Sequence, residues 1–121
     1  MRATIRALRG ATTVADDTEE QVTAKVQELL REMLSINEIE PPDIVSILFT
    51  ATSDISSMFP AAAVRRMGLV DIPMMCAKEL DVVGALGRCI RVMMHVNTDK
   101  PREALRHVYL HEAKQLRPDL D

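Results

Sequence analysis

Apolar and polar side chains alternate almost from the first residue. The stretch RATIRALRG (2–10) sets Ala3, Ile5, Ala7 and Arg9 on one side of an extended chain and Arg2, Thr4, Arg6 and Leu8 on the other, which predicts a strand ending near Arg9. The period then lengthens. In DDTEEQVTAKVQELLREML, Val22, Val26, Leu29, Leu30 and Met33 fall on one helical stripe, Thr18 and Gln21 form a candidate capping box, and acids crowd the first turn. Pro41 and Pro42 forbid any continuation of that helix. DIVSILFTAT (43–52) is apolar on both sides, the pattern of a central strand. FPAAAVRRMG (59–68) opens on Pro60 and closes on Gly68, as a short helix does. VDIPMMCA then reads as a strand, ELDVVGALG as a turn or short helix, and GRCIRVMMHV as a mostly buried strand. NTDKPREAL reads as a second proline-started helix and RHVYL as a last short strand. Together these predict an α+β fold, one mixed sheet of about five strands with helices packed outside it.

Length confines this pattern to a single domain, residues 1–121. With 47% hydrophobic and 27% charged residues the chain can bury a core, so disorder is excluded. A formal net charge of −3, no Trp, and only Phe49, Phe59 and Tyr109 as aromatics leave neither the basic field nor the stacking platform that nucleic acid requires. Cys76 and Cys89 are too few for a secreted disulfide scaffold and too far apart for a zinc knuckle, and read as reduced thiols. MRATIRALRG lacks the apolar centre of a signal peptide, and no apolar run reaches membrane-spanning length. The expected protein is cytoplasmic, with no membrane partner.

Arginines change the picture because of where they fall. Arg91 stands between Ile90 and Val92 on an apolar strand, sharing a face with Cys89, Met93 and His95. A charge there is costly unless something pairs with it. Arg9 shares a face with small residues, Arg65 lies on the short helix after Phe59, and Arg117 stands in the tail before Pro118. Glu79 follows the strand that contains Cys76. Several guanidiniums and one carboxylate near apolar walls suit a small ligand bearing carboxylates and a hydroxyl, because the planar guanidinium fork grips a carboxylate bidentately. Each arginine taken singly also fits a structural ion pair or a side chain snorkelling to the sheet edge. His107 and His111 on a strand would stand about 13 Å apart, too far for one metal ion even with His95 nearby. The Cys76 segment offers no base for nucleophilic chemistry, so a buried, hydrogen-bonding thiol is the better reading.

The words RGATT (9–13), FPAAAVR (59–65), CAKELDV (76–82), CIRVMM (89–94), RHVYL (106–110) and LRPDL (116–120), in this order, resemble the monofunctional chorismate mutases of the AroH class. The resemblance implies a trimeric pseudo-α/β-barrel with active sites in clefts between subunits. It also implies Claisen rearrangement of chorismate to prephenate, on the route to phenylalanine and tyrosine, with no cofactor and no metal. Under it, Arg91 is the donor to the ether oxygen of the breaking bond, and Arg9 and Tyr109 flank the enolpyruvyl carboxylate. Glu79 and Cys76 hold the ring hydroxyl, Phe59 and Leu116 wall the pocket, and Arg65 and Arg117 stand at its mouth. The catalytic set would be Arg91, Glu79 and Arg9. Two positions depart from the pattern: Ala62 stands where a lysine can occur, with Arg65 or Arg66 as alternative sources of charge, and Met75 where a threonine can. The competing reading from the same residues is a trimeric module that binds an acidic metabolite without transforming it.

Overall fold

Strands and helices follow one another as β1 (Thr4–Thr13), α1 (Glu19–Ile36), β2 (Ile44–Ala51), α2 (Pro60–Arg65), β3 (Met74–Lys78), β4 (Cys89–Thr98) and β5 (Val108–Tyr109), in a computed structural model that describes residues 4–116. The sheet order is β3-β2-β4-β1-β5. β4 runs antiparallel to both β1 and β2, while β1 pairs in parallel with β5 and β2 in parallel with β3, so the sheet is mixed. Among the described residues no helix is long and apolar enough to cross a membrane.

The pleat decides where the core lies. Ile90, Val92, Met94 and Val96 of β4, Leu8 of β1, and Ile47 and Phe49 of β2 all point to one face. There they meet the stripe of Val22, Val26, Leu29, Leu30 and Met33 on α1, together with Ala63 and Val64 of α2. Helix and sheet approach most closely at Gly10. A Cβ at that position would lie 2.6 Å from Met33 Sδ and 3.2 Å from Leu29 Cδ1, both on side chains with no exposed surface. Thr18 caps α1 by accepting a hydrogen bond from the Gln21 N–H at 3.1 Å. Only half of the capping box forms: the Gln21 side chain accepts from the Ala15 N–H instead, pinning the preceding loop. At the other end Asn37 is fully buried. Its amide donates to the carbonyls of Met33 (2.8 Å) and Arg106 (2.9 Å), and its carbonyl accepts from the Arg106 N–H (2.7 Å). One side chain thus ties the end of α1 to the segment that leads into β5.

Two local expectations are corrected and one is resolved. The first strand does not end near Arg9. It keeps its pairing with β4 as far as Thr13↔Cys89, which puts Arg9 in mid-strand. Of the two readings of ELDVVGALG, the turn is the one that forms, at Val83 and Gly84, with Gly84 at φ +84. NTDKPREAL yields only the 3₁₀ turn Arg102–Ala104, because Asn97 and Thr98 are taken up by β4 in pairing with Ile5 and Thr4. β4 is mostly buried, as expected, whereas β2 is apolar on both sides but covered on one. Leu48 is 41% exposed and Met75, its neighbour on β3, 69%.

The Gly10 contact generates a test. Gly10→Ala should destabilise the fold by about 1–3 kcal/mol through overpacking against Met33 and Leu29, read as a lower urea midpoint. An unchanged midpoint would show that α1 can move off β1 freely.

Candidate active site

One rung of the sheet carries most of the candidate chemistry. Strand register aligns Ala77, Thr50, Arg91, Ala11 and Tyr109 across the five strands, all on the face away from α1. Arg91 is not the unpartnered buried charge that its apolar neighbours suggest. Its side chain is 37% exposed, and Nε lies 3.4 Å from Oε2 of Glu79, itself 25% exposed. The Thr50 hydroxyl donates to that same Oε2 at 2.5 Å. Glu79 is placed by its backbone, whose N–H donates to the Ala51 carbonyl at 2.9 Å as the chain leaves β3. The contact between Arg91 and Glu79 is a charge pair rather than an aligned hydrogen bond, since Nε makes no hydrogen bond among the described residues. The Tyr109 hydroxyl is likewise buried without a hydrogen-bond partner among those residues, its ring packed with Ala11, Ala113 and Leu116. Buried polar atoms without partners are the places where a ligand's groups are worth most.

Arg9 is half-buried opposite Met93, on the face that Ala11 and Arg91 share. Its backbone N–H donates to Nδ1 of His107 at 2.9 Å, which ties β1 to the entry of β5. Cys89 lies next to Arg91 on the same face. Burial pushes its thiol up to about 11 although the Arg91 guanidinium opposes the shift, so at neutral pH it presents no charge to compete with Glu79.

The remaining candidates gather elsewhere. Phe59, Ala62, Arg66, Cys76 and Ala77 line a cleft of about 650 Å³ between α2 and the β3 edge. Cys76 pairs with Phe49 and so points to the helix-covered face, opposite to Arg91. The cleft's guanidinium is that of Arg66, held by Thr23 Oγ1 (3.1 Å) and Glu19 Oε1 (3.3 Å). Arg65 is exposed at the end of α2 and does not line the cleft. Asp17 fixes the far wall. The Ser57 side chain lies against its carboxyl, and hydrogen bonds donated by the N–H groups of Ser56 and Ser57 and by the Ser56 hydroxyl hold it down at about 2.

Within one chain, then, Arg91, Glu79, Arg9, Tyr109 and Leu116 share the face away from α1, while Phe59 and Cys76 belong to the other. Cys76 and Glu79, expected to hold one hydroxyl, stand on opposite faces of the sheet. Arg117 lies outside the described residues. The histidines are engaged separately, His95 with Ser46 Oγ, His107 with the Arg9 N–H and His111 with Glu28. Sequence reasoning did not mark Thr50. Its hydroxyl shares β2 with that of Ser46, and only the strand register sets it opposite Arg91.

Over residues 5–120 the chain matches the chorismate mutase type I family. It is 49% identical over 117 residues to chorismate mutase AroH of Bacillus subtilis (strain 168), which spans 96% of this chain and 92% of that protein. It is 45% identical over 118 residues to chorismate mutase AroH of Thermus thermophilus, spanning 97% of each. A solved chorismate mutase from Clostridium thermocellum superposes with a TM-score of 0.89 at 52% identity, covering 91% of this chain and 98% of that one. The protein is an isomerase by class. More narrowly, the chain belongs to the chorismate mutase type I family.

Asp17 generates a pH test. Because its pKa is lowered in the folded chain from 3.8 to about 2, its contribution to stability is fully present above about pH 4 and is lost as the pH falls through 2. Asp17→Asn should remove that dependence, so wild type and variant converge in urea midpoint as the pH is taken down through the window. A gap between them that stays constant throughout would show that ionised Asp17 contributes nothing.

Proposed function

We propose that this chorismate mutase rearranges chorismate to prephenate at sites assembled between copies of the chain in a homotrimer, as a cytoplasmic step towards phenylalanine and tyrosine. The observation that carries the reading is the split of the candidate residues. A guanidinium and its carboxylate partner, and beside them a buried phenol with no hydrogen-bond partner among the described residues, stand on the sheet face away from α1, and the Phe59–Cys76 cleft stands on the other. A single chain cannot close these two half-sites on one ligand, whereas a ring of chains sets one face against the next chain's cleft. The apolar surface left open at Leu48 and Met75 supports the same arrangement.

The chemistry asks little of the protein. A [3,3] rearrangement is unimolecular and concerted, so no nucleophile, metal or proton transfer is needed. The substrate must be held as its compact chair-like conformer, for which carboxylate grips from Arg9 and Arg91 and a hydroxyl clamp from Glu79 and Cys76 suffice. Tyr109 stands beside the enolpyruvyl carboxylate; Phe59 and Leu116 wall the ring, and Arg65, Arg66 and Arg117 supply positive charge at the mouth. As the C–O bond opens ahead of C–C closure, negative charge gathers on the ether oxygen. A guanidinium already fixed by Glu79 stabilises that charge without reorganising.

Purified chain should consume chorismate in metal-free buffer, read as loss of its ultraviolet absorbance, and Arg91→Ala should lose about 10²–10³-fold in turnover. Tight binding of chorismate without turnover would make the chain a binding module instead. For the assembly, Arg91→Ala and Cys76→Asp variants should each be inactive alone and regain activity when unfolded together and reassembled, because mixed rings contain clefts with both halves intact. Mixtures that never complement, or an active monomer in sedimentation, would refute the shared site.

A further inference from the structure

We propose that Thr50 is a positioning residue for the rearrangement, its hydroxyl fixing the Glu79 carboxylate so that one oxygen serves Arg91 and the other faces the ligand. The inference rests on the chorismate mutase reading and adds a residue to its machinery.

Thr50 is the direct cross-strand partner of Arg91 on β4, so the two side chains rise from the sheet as neighbours. Both converge on Oε2 of Glu79, the hydroxyl at 2.5 Å and Nε at 3.4 Å. With Oε2 taken by the Thr50 hydrogen bond and the Arg91 charge pair, Oε1 is the acceptor left for a substrate hydroxyl. Glu79 is thereby held at both ends from adjacent residues of β2, its N–H on the Ala51 carbonyl and its carboxylate on the Thr50 hydroxyl. A neutral donor suits this task better than a second cation, because it orders the carboxylate without cancelling the charge that Arg91 is set against. The β-branch of threonine restricts its hydroxyl to few rotamers, which keeps the donor in place when the site is empty. Without that hydroxyl, a long carboxylate side chain that is partly open to solvent is free to leave Arg91, and the guanidinium loses its fixed orientation.

The loss should appear mainly in kcat. Orientation of Arg91 matters most where charge builds on the ether oxygen, and an interaction that strengthens only in the transition state acts on turnover rather than on KM. Thr50→Val keeps the shape and strand preference of threonine. It should fold as the wild type does, with kcat lowered about tenfold and KM changed less than about threefold. Thr50→Ala provides a second variant without the hydroxyl and should show the same split, and Thr50→Ser should restore activity to within about twofold. In a Glu79→Ala background, Thr50→Val should cost less than about twofold more, since its target is already gone.

Full activity in both Thr50→Val and Thr50→Ala would overturn the proposal. So would a serine variant as impaired as the valine one, or a further tenfold loss in the Glu79→Ala background, which would mean that Thr50 acts on something other than Glu79. A wild-type chain that leaves chorismate untouched would overturn the functional reading, and this inference with it.

Discussion

Among the described residues, α-helices of 18 and 6 residues cover one face of the five-stranded sheet and the 3₁₀ turn His111–Gln115 covers only the Tyr109 end of the other, and the rest of the molecule is arranged around that constraint. The pleat sorts β4 into two chemical sets. Ile90, Val92, Met94 and Val96 are committed to the core, while Arg91 and its alternate neighbours are left on the uncovered side. A guanidinium can occupy the centre of an apolar strand because it stands on the side that α1 and α2 leave uncovered, with a carboxylate supplied by the chain itself.

That placement reconciles rigidity with access. β4 is hydrogen-bonded on both sides, so the backbone beneath Arg91 cannot drift. Its charge stays partly solvated and is balanced by Glu79, which keeps the cost of the empty site low. The same logic extends to Tyr109. β5 is only two residues long, yet Asn37 and His107 secure the segment before it and the Ala11 pairing fixes its register. Residues separated by nearly the whole chain thus meet on one rung of one sheet.

The elements with a strong period were legible in the sequence. The stripe from Val22 to Met33 specifies α1 and its buried face, and the Pro60-to-Gly68 frame specifies α2, because each rests on local geometry. Which face of β2 stays open was not legible, since two apolar faces look alike until the number of covering helices is known. Nor could spacing choose between Arg65 and Arg66. The choice depends on where a six-residue helix ends, and one residue's rotation there turns a side chain by about 100°. Arg91 and Glu79 were legible as oddities of type and position. Their pairing was not, because it depends on the irregular path after β3. Thr50 escaped notice because a threonine is ordinary in a strand until the residue opposite it is known.

The register also has a consequence in time. β1, made before β4, pairs along its whole length with it, and Thr4 lies opposite Thr98. At about 5–20 residues per second of synthesis, the first strand waits on the order of 5–20 s for its partner to exist. Until then Leu8 and Gly10 have a helix available on one side but no sheet to complete. The segments before β4 therefore emerge from the ribosome without a complete sheet, and folding waits on the synthesis of β4.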